Sequence, residues 1–233
     1  MAKNGKKILM VLTSSATMGE SSEPTGLWLE EFTVPYYALL DAGCEVKIVS
    51  TAGGEVPIDP RSLGEEAERV EENRLYHDDS AAREALTHSP ALSEVDASEF
   101  DAIFLPGGHG TMWDLPESDK LARDISALYA AGKPVAAVCH GPAGLLNATT
   151  PEGEPLVKGK RVSAFLTAEE EAVGLRDAVP FLLDERLSEL GATLVRGEPF
   201  SETAVVDGLL ITGQNPQSAG KVAELLVEAL RSR

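Results

Sequence analysis

The residues in this chain that could do chemistry gather around one cysteine. Cys139 follows a short apolar run at residues 135–138, and His140 comes directly after it. An imidazole beside a thiol can take the thiol proton and leave a thiolate, which is the arrangement that nucleophilic cysteine catalysis needs. Two plainer interpretations stay open, because free cysteine is among the most buried residue types and His140 could have only structural partners.

The sequence around Cys139 predicts a sharp turn from a strand into a helix. The apolar run is typical of a buried strand, although periodicity alone leaves a buried helix open. Pro142 suits the first turn of a helix because it has no backbone N–H to donate. The N-terminus of a helix favours negative charge, so we expect it to lower the pKa of Cys139. The same turn presents the nucleophilic serine of α/β-hydrolases.

A glycine pair provides candidate donors for a negatively charged reaction intermediate. Gly107 and Gly108 follow another apolar run, and without a Cβ atom their backbone can approach a reacting oxygen closely. The N–H of His140 is a second candidate donor. The pair could also be no more than a tight turn. It is not a dinucleotide-binding fingerprint, because the third glycine of that motif is absent.

Two glutamates are candidates for handling protons. Glu170 could orient the imidazole of His140, and Glu31 lies on a predicted helix after the first strand. Thr167 can cap a helix with Glu170 at its third helical position, so Glu170 could equally be a capping residue. Taken alone, Glu31 would usually be exposed to solvent. His109 and the other histidines lack compact metal-ligand spacing, so no metal site is expected.

The elements that must position these residues alternate between strands and helices. The first predicted helix contains Pro35, where a kink or break is expected. Asp207-Gly208 is a strong signal for a hairpin near the end of the chain. The alternation predicts an α/β fold with a mostly parallel sheet covered on both faces. The predicted strands are residues 8–12, 46–50, 100–105, 135–138, 162–165, 193–195, 204–206 and 209–212, and the main predicted helices are 27–42, 121–131, 178–190 and 216–230.

Three chain segments are expected to open on one edge of this sheet. Thr13, Gly107-Gly108 and Cys139 each come directly after a predicted strand. The carboxyl ends of parallel strands meet at one edge, where sites of such folds lie. Residues 51–97 are the least regular part of the sequence. Because they contain no repeat and no low-complexity linker, we interpret them as an insertion in one domain that spans residues 1–233.

Composition and charge exclude several classes of function. The 233 residues carry a formal net charge of −18, which disfavours nucleic acid and anionic membrane as partners, because phosphate binding needs clustered lysine and arginine. No apolar run reaches the ~18 residues of a membrane span. The basic residues 1–7 precede an apolar stretch too short for a signal peptide. Two cysteines make no disulfide framework, so we expect reduced thiols and a cytoplasmic protein.

Two motifs resemble those of the ThiJ/PfpI superfamily. They are Phe-Leu-Pro-Gly-Gly-His-Gly at residues 104–110 and Ala-Val-Cys-His-Gly-Pro at residues 137–142. More narrowly, the chain resembles the short-form glyoxalase III and heat-shock chaperone branch, through Thr25-Gly26 followed by Glu31 and Pro35 and through residues 164–171 and 212–218. The resemblance runs nearly end to end. It implies a flavodoxin-like three-layer α/β sandwich, which is the class I glutamine-amidotransferase-like fold.

The resemblance also implies roles for the candidate residues. Cys139 matches the nucleophile, His140 its partner and Glu170 the third member of a triad, with the neighbouring Glu169 as the alternative acid. Glu31 matches a carboxyl group that lies beside the sulfur.

The remaining matches concern the substrate side of the site. Gly107, Gly108 and His109 match residues that border the oxyanion and the substrate. The chain departs from the family pattern in two places: Leu166-Thr167 stands where Thr-Asp is common, and Ala164 replaces a glycine.

The activity that the resemblance implies is a glutathione-independent glyoxalase, also called D-lactate dehydratase. It converts a small reactive aldehyde, methylglyoxal, to lactate with no cofactor and no metal, and the resemblance implies a stress-protective homodimer. Two alternatives stay open. A cysteine peptidase or amidase of the same superfamily uses the same nucleophile, and a holding chaperone or redox sensor would have Cys139 oxidised rather than turned over.

Overall fold

The computed structural model describes residues 5–232, so the first four residues of the basic N-terminal segment lie outside the description. Its strands are β1 (Lys7–Leu12), β2 (Glu45–Ser50), β3 (Ala102–Leu105), β4 (Val135–Val138), β5 (Arg161–Val162), β6 (Thr193–Leu194), β7 (Ala204–Asp207) and β8 (Leu210–Gly213). Six of them form one sheet in the order β2-β1-β3-β4-β8-β7, while β5 and β6 pair separately. All neighbours in the large sheet are parallel except β7 and β8. The predicted mostly parallel sheet and the predicted hairpin are confirmed.

Eight α-helices surround the sheet within the described residues. They are α1 (Leu29–Asp41), α2 (Glu71–Asp78), α3 (Ser80–Thr87), α4 (Thr111–Asp114), α5 (Asp119–Ala130), α6 (Thr167–Val173), α7 (Leu183–Glu189) and α8 (Ala219–Arg231). Residues 51–97 contain α2, α3 and three short 3₁₀ helices, and a fourth, Ala97–Glu99, begins at their end. Among all the helices of residues 5–232, none is long and apolar enough to cross a bilayer.

The sheet is buried on both faces, which explains why its strands are continuous apolar runs. Leu9 and Val11 of β1 belong to a core cluster shared with α5, whereas Ile8, Met10 and Leu12 belong to the opposite cluster, shared with α1 and α8. Successive side chains of a strand point to opposite faces, so one short run fills two cores.

The structure corrects several boundaries that the sequence predicted. α1 is helical without interruption across Pro35, so the predicted break is wrong. This helix buries Phe32 and Leu39 and packs against α8 and α2. Tertiary packing of an apolar face supplies most of the stability of a protein helix, so it outweighs the local effect of Pro35. The predicted helix 178–190 is shorter, because α7 begins only after Pro180.

Two further corrections concern the segments on either side of the candidate nucleophile. The helix expected after Pro142 is a five-residue 3₁₀ helix, Gly141–Leu145, whose glycines disfavour a longer regular helix. The strand expected at residues 162–165 ends at Val162. Beyond it, Ser163 donates its N–H to the hydroxyl of Thr212, and Phe165 donates to the carbonyl of Cys139. These hydrogen bonds take the place of the strand-to-strand hydrogen bonds that a longer β5 would make.

A largely buried carboxylate ties the loops at the carboxyl edge of the sheet together. Asp114 accepts hydrogen bonds from the Thr13 hydroxyl at 2.9 Å, the Ser14 N–H at 2.7 Å and the Thr51 hydroxyl at 2.6 Å. Thr13 and Thr51 directly follow β1 and β2. Thr13 therefore lies at the expected edge, but its hydroxyl is engaged in holding the loops.

We expect Asp114→Ala to lower the free energy of unfolding by about 2–4 kcal/mol, because three donors lose their acceptor in a poorly solvated place. Urea melts of Asp114→Ala beside wild type measure this loss. Asp177→Ala, which removes an exposed carboxylate, is the matched control and should change stability little. Equal midpoints for the two variants would contradict the structural role given to Asp114.

Candidate active site

Cys139 occupies a strained turn at the end of β4. Its φ is 59°, in the left-handed region that residues with side chains rarely adopt. The backbone is fixed on both sides, because Cys139 donates its N–H to Gly213 at 3.0 Å and accepts from Phe165 at 2.9 Å. Strain of this kind persists only where the surroundings enforce it, and it clusters at functional sites.

The Cys139 thiol faces an imidazole that a carboxylate orients. Sγ lies 3.2 Å from Nδ1 of His140, and Nε2 of the same ring lies 2.7 Å from Oε1 of Glu170. All three side chains are buried. A carboxylate can only accept hydrogen bonds, so Nε2 carries the proton and Nδ1 is left as an acceptor that faces the thiol. The geometry is that of a Cys-His-Glu triad.

Glu170 lies between two histidines rather than one. Its second oxygen, Oε2, is 3.0 Å from Nε2 of His109. Burial opposes ionisation of Glu170, but hydrogen bonds from His109 and His140 outweigh it and hold the pKa at about 2. Burial and the neighbouring His109 ring in turn lower the pKa of His140 to about 4, despite the carboxylate beside it. At neutral pH the imidazole of His140 is therefore neutral and can accept a proton.

Glu31 reaches the opposite side of the sulfur from α1. Its side chain is fully buried, and its Oε2 accepts a hydrogen bond from the Gly107 N–H at 2.8 Å. Oε1 has no well-formed hydrogen bond, and the carboxyl group interacts with the thiol of Cys139. Burial raises the pKa of Glu31 well above its usual range. A raised pKa favours a carboxyl group that keeps its proton.

The expectation that the turn lowers the pKa of Cys139 is wrong. Burial, and next the acidic group of Glu31 beside the sulfur, raise the pKa of this thiol well above its usual range. The helix that was expected to favour the thiolate is only one and a half turns of 3₁₀ helix, while desolvation acts on a thiol that is 3% exposed. The resting sulfur is therefore a thiol, and Nδ1 of His140 is the acceptor that faces it.

The glycine pair permits this close packing of acid and sulfur. A Cβ atom at Gly107 would lie 2.6 Å from Oε2 of Glu31 and 2.7 Å from the backbone nitrogen of His140. Gly108 has φ 101°, and its N–H donates a hydrogen bond to the sulfur of Cys139. The structure therefore brings Gly107 and Gly108 to the reacting group, as expected for residues that border an oxyanion.

Glu169 and Glu170, the two candidates for the triad acid, face different surroundings. Glu169 is fully buried and accepts hydrogen bonds from Phe200, Gln214, Asn215 and its own helix start at Leu166. α6 begins at Thr167, so Glu169 occupies the third helical position that the sequence assigned to Glu170. Glu170 is one residue further along. This step rotates its side chain by about 100° around the helix axis, toward the histidines.

The site opens into a small cavity of about 110 Å³. Its walls are mostly apolar, with Cys139 and His109 among the lining residues, and with Trp28, Phe165 and Phe200 as aromatic walls. Phe200 has φ 57°, a second strained residue, and packs edge-on against Phe165. Sequence reasoning missed Trp28 and Phe200, because neither lies in a motif and each enters the site through a loop.

The arrangement matches a known family. The family model described as the DJ-1/PfpI family matches residues 25–229 of this chain. The chain belongs to the DJ-1/PfpI family. A glutathione-independent glyoxalase of Schizosaccharomyces pombe is 32% identical over 241 residues, covering 100% of this chain and 98% of the relative.

Two solved structures extend this likeness. The crystal structure of glyoxalase III from Candida albicans is similar at 32% identity with a TM-score of 0.88, covering 96% of this chain and 97% of that one. The structure of the Rapid Encystment Protein 24 kDa of Francisella tularensis is similar at 40% identity with a TM-score of 0.92, covering 97% and 99%. The predicted fold class and family resemblance are therefore confirmed.

One cluster of this DJ-1/PfpI protein has the composition of a metal site. His109, His140 and Glu170 offer ligand atoms that lie within 4.8 Å of one another. The sequence did not predict the cluster, because its members are distant along the chain. Both carboxylate oxygens and both Nε2 atoms are already engaged in hydrogen bonds to one another. A metal would have to displace those bonds.

We expect His140→Gln to flatten the acid dependence of stability. The pKa of His140 is 6.5 in a free chain and about 4 in the folded protein, so between these values the unfolded state holds one more proton. The free energy of unfolding of wild type should therefore fall by roughly 3 kcal/mol as pH drops from 6.5 to 4. The related loss at Glu170, with a pKa of about 2, begins only below about pH 4.5.

Urea melts at several pH values test this expectation. The difference in free energy of unfolding between wild type and His140→Gln should change by roughly 3 kcal/mol between pH 6.5 and pH 4. His88→Gln, a change at an exposed histidine, serves as control and should track wild type. A His140→Gln curve parallel to wild type would show that the pKa of His140 is not lowered.

Proposed function

We propose that this protein is a glutathione-independent glyoxalase that converts methylglyoxal to lactate at Cys139. The observation that carries the proposal is that Cys139 and His140 line one small cavity, with Glu170 behind the imidazole and the buried carboxyl group of Glu31 beside the sulfur. A cysteine peptidase or amidase needs only the thiol, the imidazole and the carboxylate that orients the imidazole. Converting an aldehyde to an acid also needs a group that moves a proton between two carbons, and Glu31 supports this second task.

The first step is addition of sulfur to the aldehyde carbon. As the S–C bond forms, Nδ1 of His140 takes the thiol proton, and the Glu170 carboxylate stabilises the resulting imidazolium. The carbonyl electron pair moves to oxygen, which the N–H groups of Gly108 and His140 can stabilise as negative charge develops. Protonation of that oxygen gives a hemithioacetal. Neutral His140 is the form of the base that this step requires.

The second step moves hydrogen from the aldehyde carbon to the neighbouring carbon. A base removes the C–H proton of the hemithioacetal to give an enediol, and an acid returns a proton to the adjacent carbon to give a lactyl thioester. Glu31 is buried beside the sulfur with a raised pKa, so it can both release and recover a proton there. Hydrolysis of the thioester then releases lactate and restores the thiol.

The size and lining of the cavity support a small substrate. A volume of about 110 Å³ has room for a three-carbon oxoaldehyde. His109 borders this space, which supports a role for this residue in contacting the substrate. The relatives named as glyoxalases match the chain over nearly its full length, which supports the same assignment.

We also propose the setting in which the enzyme acts. The family resemblance supports a cytoplasmic homodimer of a single domain that carries an insertion at residues 51–97. Two free cysteines suit a reducing compartment.

We expect Glu31→Gln to reduce turnover of methylglyoxal by about 10²-fold or more, because glutamine keeps the size of the side chain but cannot shuttle a proton. Cys139→Ala should abolish turnover, whereas Cys44→Ala, at the other free cysteine, should leave it intact. Steady-state lactate release without glutathione or metal measures all three. Circular dichroism should show unchanged folding.

Each result has a distinct meaning. Full activity of Cys139→Ala would refute the enzymatic proposal itself. Full activity of Glu31→Gln with an inactive Cys139→Ala would remove Glu31 from the mechanism and leave both proton transfers to His140. Hydrolysis of peptides or amides in place of aldehyde turnover would favour the peptidase alternative.

A further inference from the structure

His109 carries a buried nitrogen with no hydrogen-bond partner. The residue is 5% exposed, its Nε2 contacts Glu170, and its Nδ1 meets no hydrogen-bonding group among the described residues. Leaving a buried polar atom unpaired costs about 1–3 kcal/mol, so such atoms call for a functional explanation. His109 also lines the cavity that contains Cys139.

The contact with Glu170 fixes which nitrogen of this ring donates a hydrogen bond. Glu170 has a pKa of about 2 and is a carboxylate at neutral pH, which can only accept hydrogen bonds. Nε2 of His109 therefore donates to Oε2, just as Nε2 of His140 donates to Oε1. In a neutral ring with its proton on Nε2, Nδ1 is a bare acceptor. In this form Nδ1 can accept a hydrogen bond from an O–H group of a molecule that enters the cavity lined by His109.

The proposed reaction needs a base in each of its two halves. Nδ1 of His140 faces the sulfur at 3.2 Å and serves the thiol proton. Once sulfur is acylated, a water molecule has to lose a proton as it attacks the thioester carbon. His109 lines the same cavity, and the same carboxylate orients its ring, in the manner of a second His-Glu pair.

We infer that His109 is the general base for hydrolysis of the thioester, so that two histidines share Glu170 and divide the two halves of the reaction. The inference rests on the proposed glyoxalase function. Nδ1 takes one proton of water while the water oxygen bonds to the thioester carbon. The C–S bond then breaks, and its electron pair leaves with the sulfur of Cys139. The proton on Nδ1 passes to that sulfur, so the thiol and lactic acid result, and lactic acid then ionises to lactate in solvent.

The test compares acylation and deacylation in His109→Gln. The glutamine amide can still donate toward Glu170 but has no basic nitrogen. We expect formation of the covalent adduct on Cys139 to stay within a few-fold of wild type in a single turnover. Steady-state lactate release should fall by about 10²-fold, the usual scale for a general base. Mass spectrometry of the quenched protein should then show the acylated chain accumulating in the variant but not in wild type.

Two further measurements separate a base from a structural residue. Hydroxylamine, a nucleophile that needs little base assistance, should restore release of the acyl group in His109→Gln and have little effect on wild type. His109→Phe keeps a ring that can pack against Phe165 and is measured in parallel, in case the glutamine variant folds poorly. His88→Gln, at an exposed histidine, is the control for loss of an imidazole.

Each outcome either supports the inference or overturns it. Accumulated adduct with hydroxylamine rescue supports the inference. Adduct formation that slows as much as lactate release, or unchanged turnover, overturns it. A wild-type protein that turns over methylglyoxal while the variants fail to accumulate adduct rejects only the role of His109. A wild type without turnover rejects the glyoxalase proposal and this inference together.

Discussion

The buried contact between the carboxyl group of Glu31 and the thiol of Cys139 is the constraint on which the rest of the site depends. Two acidic groups can share a space that excludes water only if their charges are not both present. Gly107 makes the contact geometrically possible, since a Cβ atom there would collide with Glu31. The contact also joins α1 to the end of β4, so an element early in the chain completes a site built mainly from later loops.

Environment gives the two glutamates of the site opposite behaviour. Glu170 receives hydrogen bonds from two imidazoles, and these hold its pKa at about 2 although it is buried. Glu31 has one backbone donor and no cation beside it among residues 5–232, so burial dominates and raises its pKa. One carboxylate therefore fixes the histidine tautomers while the other carboxyl group carries a movable proton. Finding titratable groups whose environments push their pKa values apart is a general way to assign acids and bases.

The sequence predicted the frame of the site better than its chemistry. Apolar runs predicted the strands. The position of Gly107 and Cys139 directly after strands predicted that they meet at one edge of the sheet. Both signals are local in sequence. The pKa of Cys139 was predicted in the wrong direction, since it depends on burial and on Glu31, which lies far away in sequence. The pairing of His109 with Glu170 and the wall formed by Phe200 likewise arise only when distant loops meet.

The account makes one central claim: Glu31 keeps its proton at neutral pH while it lies against the thiol of Cys139. Infrared difference spectroscopy between wild type and Glu31→Gln tests it most directly, because a protonated carboxyl group has a carbonyl band well separated from those of carboxylates. We expect wild type to show that band at neutral pH, shifted when water is exchanged for deuterated water, and to lose it only at high pH. A spectrum in which Glu31→Gln removes carboxylate bands at neutral pH would contradict the account.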